Sequence, residues 1–196
     1  MMKVKLMAYT QNPELTITKA MRGCRHKDPA YKIELDKPIE YYIRLAKQSG
    51  HYSVLEHASF TFSVEGISRT CSHQLVRHRI ASYSQQSTRV VKPKEIVIPK
   101  SVQDDMNWNL YVQDFLKKVW IAYDDMVESG IPREDARYFL PMGSTTNIVI
   151  TMNGRELLHF FKLRLHPPAQ WEIQELAKRM LKEVKNVAPT IFEDVK

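Results

Sequence analysis

Between Ser59 and Glu65 the chain alternates, with Phe60, Phe62 and Val64 on one side and Ser59, Thr61, Ser63 and Glu65 on the other. A period of two belongs to a strand with one buried face, so a half-buried strand is predicted here. Val4 to Thr10 predicts a shorter strand near the start. Thr145 to Met152 is rich in β-branched residues and fits a third, although Asn147 and the helical pattern that follows leave this segment ambiguous.

Elsewhere the apolar spacing is helical. Pro38 to Lys47 predicts a helix after a proline start, with Ile43, Leu45 and Ala46 on its apolar side and Gly50 ending it. After Gly66 the alternation stops, and Cys71 and Leu75 at helical spacing predict a helix from Ser68 to about Arg77. Val112, Leu116, Val119, Tyr123 and Met126 form one stripe along Asp104 to Ser129, the longest predicted helix, which Gly130 and Pro132 close. Arg155 to Leu165 and Trp171 to Val187 predict two more, separated by the Pro167-Pro168 break. No repeat or proline-rich linker interrupts the chain, so residues 1–196 read as a single domain. The expected class is α+β, with a modest, mainly antiparallel sheet flanked by helices.

Composition places this pattern in a folded protein, since 43% of residues are apolar and 26% charged. Lys and Arg number 29 against 22 Asp and Glu, a formal charge of +7. An anionic partner follows, and nucleotide phosphates or nucleic acid would serve equally on charge alone. Two cysteines, Cys24 and Cys71, are too few for a disulfide framework or a structural zinc site, so a reducing, cytoplasmic location is expected. Lys3 and Lys5 break the first apolar stretch, and no later run is long enough for a membrane span. Neither a signal peptide nor an anchor is expected.

One segment concentrates polar chemistry: Arg77 to Arg89, RHRIASYSQQSTR, in which only Ile80 and Ala81 are clearly apolar. Arginine offers a planar fork of donors to phosphate, hydroxyls and loop N–H groups complete an anion cradle, and Gln suits a base edge. Any one of these residues fits a solvated loop after a helix end. Together, three arginines in thirteen residues repel one another unless an anion sits between them, which favours a nucleotide site. Other chemistries stay open on the residues alone. Tyr83 could stack on a nucleic-acid base, and His78 could act as a general base in a nucleotide hydrolase, although no acidic metal-binding cluster accompanies it. His51 and His57, with Glu56 between them, suggest metal ligands, but the histidines are six apart and no third ligand stands at a recognised spacing. Cys24 and Cys71 lie near basic residues that could lower a thiol pKa.

RHRIASYSQQSTR resembles the signature of flavin-dependent thymidylate synthases: Arg-His-Arg, two residues, Ser, four residues, Ser, any residue, Arg. Every fixed position is present, and Gln85 stands where members have Glu or Gln. GHYSVLEH at Gly50 to His57, ARYFLP at Ala136 to Pro141 and NGRELLHFFKLRLHPPAQWEI from Asn153 resemble further elements of that family. The resemblance implies conversion of dUMP to dTMP, with methylenetetrahydrofolate as carbon donor, NADPH as reductant through FAD, and no cysteine nucleophile. It assigns Gln74, Leu75, Val76, Arg77, Gln85, Gln86, Ser87, Thr88, Arg89, Arg137 and Arg164 to dUMP. To FAD it assigns Ser53, Arg77, His78, Arg79, Gln85, Asn153, Gly154, Arg155 and His159. Arg164 would be catalytic, favouring ionisation of the uracil ring. Implied too is a homotetramer with shared active sites, with no metal, nucleic acid or membrane involved. Helical geometry adds that Arg155 and His159 share a face while Arg164 falls roughly opposite Arg155, so two functional surfaces are expected on one helix.

Overall fold

The computed structural model describes residues 2–93 and 95–196. Four strands, β1 (Lys3–Tyr9), β2 (Ser59–Ser68), β3 (Ala81–Gln85) and β4 (Thr145–Asn153), form one antiparallel sheet in the order β1-β2-β4-β3. The alternation of β2 is realised: Phe60, Phe62 and Val64 are fully buried, while Thr61 faces away and its hydroxyl meets that of Thr151 at 2.9 Å. A bulge falls between Val64 and Ile67, where Gly66 takes a left-handed φ of 73° and donates its N–H to the Asn147 side chain at 3.2 Å. Asn147, which made β4 ambiguous in sequence, is thus the residue that secures the bulge.

The helices are α1 (Pro13–Gly23), α2 (Ile39–Gln48), α3 (Arg69–Leu75), α4 (Lys100–Gln103), α5 (Met106–Glu128), α6 (Arg133–Ala136), α7 (Gly154–Arg164) and α8 (Trp171–Lys185). Short 3-10 turns at Ala30–Lys32, Tyr52–His57 and Arg137–Phe139 join them. Both predicted glycine stops operate. After α2, Gly50 donates to Lys47 and His51 to Ala46; after α5, Gly130 donates to Val127 and Ile131 to Met126, the paired bonds of a Schellman close.

One core lies between the sheet and the helices. Phe60, Ile150 and Met152 meet Ile17 of α1, Leu157, Phe160 and Phe161 of α7, and Ile173, Leu176 and Met180 of α8. Phe60, Phe161 and Phe192 stack edge to face. The α+β class with a modest antiparallel sheet is therefore present. Three details differ from expectation. On α2 the buried residues are Tyr42, Ile43 and Ala46, while Leu45 turns outward. Helix α1 carries no counterpart in the predicted elements. β3 occupies part of the segment expected to be a loop. Among the described residues no helix is long and apolar enough to cross a membrane.

Candidate active site

Helix α3 begins where Ser68 caps it, the Ser68 hydroxyl accepting from Cys71 N–H at 2.9 Å. Both Glu172 carboxylate oxygens hold Ser68, one on its N–H and one on its hydroxyl, which ties the start of α3 to α8. Past the end of α3 the chain turns into β3. Tyr83 locks that turn, its hydroxyl donating to the carbonyls of Leu75 (2.9 Å) and His78 (2.8 Å). Burial, reinforced by the Glu156 charge, pushes the Tyr83 phenol up. With its hydroxyl committed and its ring half-buried, Tyr83 is not the free stacking platform a nucleic-acid module would need.

Three groups of side chains gather around this turn. In the first, α7 lies beneath His78, whose side chain is 3% exposed. Arg164 donates from Nε to His78 Nε2 at 3.0 Å and from Nη2 to the Gln74 carbonyl at 3.1 Å. The other ring nitrogen, Nδ1, lies 3.1 Å from Oε1 of Glu156, itself 6% exposed. Phe160 and His159 complete the surroundings, with ring centroids 4.9 and 5.7 Å from that of His78. Burial is the main reason the His78 pKa sits below the ordinary imidazole value; the Arg164 and His159 charges add to it and Glu156 opposes it. Nearby, Gln85 spends its amide N–H groups on the hydroxyls of Ser72 (3.1 Å) and Thr146 (3.2 Å).

The second group surrounds a cavity of about 320 Å³ lined by Arg69, His73, Thr88, Arg137, Tyr138, Leu140, Pro141 and Met142. Arg69 and His73 are one turn apart on α3. Arg69 Nη1 is buried without a hydrogen-bond partner among the described residues. Arg137 reaches the Thr88 hydroxyl at 3.5 Å and the Glu134 carbonyl at 3.1 Å. Ser87 turns the chain by accepting from Arg89 N–H, and Arg89 pairs with Glu134 at 2.9 Å. The expected mutual repulsion of three arginines is thereby relieved in part without a ligand: Arg89 has Glu134, while Arg77 and Arg79 extend into solvent.

The third group lies at the start of α7. Asn153 caps the helix by accepting from Glu156 N–H at 2.9 Å. Gly154 is buried, donates its N–H to the Ala58 carbonyl at 2.8 Å, and sits where an added Cβ would lie 3.0 Å from the Leu55 carbonyl oxygen. That close approach brings α7 against the turn carrying Ser53 and Glu56. Arg155 then reaches Glu56 at 2.6 Å. Ser53, Arg155 and His159 are exposed.

A model of the family described as thymidylate synthase complementing protein matches residues 5–190. The flavin-dependent thymidylate synthase of Saccharolobus solfataricus is 47% identical over 98% of this chain and 76% of its own length. The chain belongs to the flavin-dependent thymidylate synthase family. The member from Geobacter sulfurreducens is 46% identical, covering 98% of this chain and 86% of its own. Among solved structures, the UMP/dUMP methylase PolB of Streptomyces cacaoi, bound with 5-Br dUMP, superposes with a TM-score of 0.87 at 25% identity, covering 98% of this chain and 94% of that one.

For a flavin-dependent thymidylate synthase the residue chemistry fits its cofactor. Arg77, Arg79 and Arg155 are exposed cationic donors suited to a diphosphate, and Ser53 and His159 are exposed as well. The predicted opposition of Arg155 and Arg164 is present in their partners, Glu56 and His78. His159, expected on the Arg155 side only, also lies beside His78 and so close to the Arg164 end. Leu75 is core, and only its backbone faces the turn. Neither cysteine sits in these groups: Cys24 is exposed and donates to the Ala20 carbonyl, and burial pushes the Cys71 thiol up, the reverse of the lowering that adjacent bases suggested. A different metal-like cluster replaces the His51 and His57 suggestion, since His78, Glu156 and His159 bring ligand atoms within 4.8 Å of one another. Both His78 nitrogens are already engaged there, one by the Arg164 cation. Arg69, His73 and Glu156 were absent from the predicted site. Only Glu156 left a local trace, three residues after the Asn153 cap.

Proposed function

We propose that this enzyme converts dUMP to dTMP with the nucleotide lying along α3, its phosphate among Arg69, Thr88 and Arg137 and its base beside Gln74 and Arg164. The observation that carries this assignment is the division of labour on α3: Arg69 and His73 line the cationic cavity, while Gln74, five residues after Arg69 and about 7.5 Å further along the axis, holds Arg164 through its carbonyl. Arg69, Arg137 and the Thr88 hydroxyl give a phosphate in this cavity two cationic side chains and a hydroxyl. Ser87 and Arg89 flank Thr88 in sequence and line a neighbouring recess with Glu134; in this proposal they, with Gln85, Gln86 and the backbone of Leu75 and Val76, complete the dUMP site.

Arg164 has two of its three nitrogens fixed, Nε by His78 and Nη2 by Gln74, which leaves Nη1 for the pyrimidine edge. A cation held there stabilises negative charge as the ring ionises at its nitrogen N3. Arg77, Arg79, Arg155, Ser53 and His159 would hold FAD, with Asn153 and Gly154 setting the angle at which α7 presents them. When bound, FAD would pass reducing equivalents from NADPH to the methylene taken from methylenetetrahydrofolate. No cysteine is asked to attack the uracil ring.

Assembly as a homotetramer with shared sites belongs to the same proposal. On α5 Trp108, Tyr111 and Phe115 are 60, 66 and 52% exposed, an apolar surface suited to further copies of the chain. Sedimentation of a fully active monomer would remove the shared-site assignment.

The direct test is the visible spectrum of the purified chain. A yellow chromophore that bleaches on adding NADPH with dUMP, followed by dTMP once methylenetetrahydrofolate is supplied, is expected. Protein that stays colourless and refuses FAD, yet binds nucleic acid with a steep salt dependence, would overturn it.

A further inference from the structure

We propose that Glu156 is a positioning residue: its carboxylate holds His78 in the Nδ1–H form, which keeps Nε2 as the lone pair that receives the Arg164 Nε–H. The inference rests on the assignment of Arg164 to the pyrimidine. Three residues after the Asn153 cap, a Glu would be expected to reach back to the N–H of the capping residue, Asn153. Here it is 6% exposed and set against a ring carried by the turn before β3. A carboxylate buried to that degree needs hydrogen bonds and a nearby positive charge. His78 supplies the first, and Arg164 on the far side of the ring supplies the second.

The two contacts fix the tautomer between them. Arginine can only donate, so Nε2 must accept, and a neutral imidazole then carries its proton on Nδ1, facing Glu156. The reverse tautomer would set N–H against N–H at Arg164 and a lone pair against the carboxylate. His78 is thus a rigid spacer between opposite charges, with Phe160 at 4.9 Å limiting its rotation. The same cluster is poorly suited to a cation, because a metal on His78 would displace Glu156 or Arg164 from the ring and face the guanidinium charge.

The test combines ring nitrogen-15 shifts of His78 in the purified full chain, assigned against a His78→Asn variant, with steady-state kinetics. Wild type should show a protonated Nδ1 and a bare Nε2. Glu156→Leu should lose that preference, and kcat should fall roughly ten- to a hundredfold, the usual effect of losing a partner that orients a site residue, with KM for dUMP changed much less. Glu156→Gln keeps an acceptor oxygen for Nδ1–H and should retain both the tautomer and most of kcat. An Nε2–H ring in wild type overturns the proposal, as does a Glu156→Leu protein that keeps the Nδ1–H ring or wild-type kcat. Should Glu156→Leu fail to fold, the wild-type tautomer and the Gln variant still decide. Failure of the Arg164 assignment is separately visible as full turnover in Arg164→Ala, an outcome that leaves the ring shifts unchanged as evidence for the tautomer.

Discussion

The two ends of α7 each present an arginine, and they are held in opposite ways. At the start, Arg155 pairs with Glu56 at 2.6 Å, with both side chains about half exposed (55 and 45%). Near the end, Arg164 is fixed by a buried ring and a backbone carbonyl, with Glu156 behind the ring. An exposed ion pair is weak and readily exchanged, so Arg155 can leave Glu56 for an incoming anion at little cost. Arg164 is oriented before any substrate arrives, the condition for stabilising charge that develops during reaction. A single helix therefore carries an exposed, exchangeable arginine at one end and a preorganised one at the other.

Removing the preorganised arginine should have the largest effect. Arg164→Ala is expected to lower kcat about a hundred- to a thousandfold, the scale for loss of one preorganised donor, while thermal melting changes modestly. Unchanged turnover would break the distinction between the two ends. At the other end, the sensitive residue is the glycine beside the arginine. Gly154→Ala places a Cβ 3.0 Å from the Leu55 carbonyl oxygen and 3.9 Å from that of Ala58. The Leu55 contact is with backbone, which yields poorly, so urea unfolding should show a loss of about 1–3 kcal/mol, the usual cost of overpacking. A melt indistinguishable from wild type would mean that this end of α7 shifts freely.

These contrasts also show which features a sequence exposes. Strand β2, helix α5 and the glycine closes were legible because each writes its period or its stop within one local run. The α5 stripe has the expected direction, yet only Tyr123 on it is fully buried, since nothing local says how deeply a helix docks. Strand β3 alternates too, with Ala81, Tyr83 and Gln85 partly buried and Ser82 and Ser84 exposed, but polar side chains masked the period. Helix α1 does carry start signals, Asn12 before Pro13 with Glu14 in the first turn, but it buries only Pro13, Ile17 and Thr18, too few apolar positions to write a helical stripe. Within the site, the motif residues could be named because they recur in a fixed order. Glu156 could not be joined to His78, 78 positions earlier, nor Arg89 to Glu134, because such pairs exist only once the sheet has brought distant turns together.

The buried end of α7 should also carry a pH signature that the exposed end lacks. His78 has the ordinary imidazole pKa of about 6.5 when unfolded and a lower one when folded. Between those values the unfolded chain binds more protons, so stability is highest above the unfolded value and falls as pH drops toward the folded one. The charged and titratable groups acting on the ring are Glu156, His159 and Arg164, all on α7, while Tyr83 on β3 holds only the His78 backbone carbonyl. Denaturant melts from pH 7.5 down to 5 should show wild type losing more stability than His78→Asn; parallel curves would remove the ring from the acid response.

The smallest expected change in stability comes from Arg155→Ala. The pair with Glu56 is exposed and its partner is equally wet, so its loss should cost less than about 1 kcal/mol. Helix α7 keeps its Asn153 cap and its packing through Leu157, Phe160 and Phe161, which do not depend on the arginine. If Arg155 exchanges Glu56 for the cofactor, FAD affinity should fall by about tenfold, the loss of one charge-assisted hydrogen bond, in titrations followed by flavin fluorescence. Glu56→Gln then moves the other way, because it frees the same guanidinium from its competitor without removing it. Equal FAD affinity in wild type and both variants would make the Arg155 pair purely structural and leave α7 with a single functional end, at Arg164.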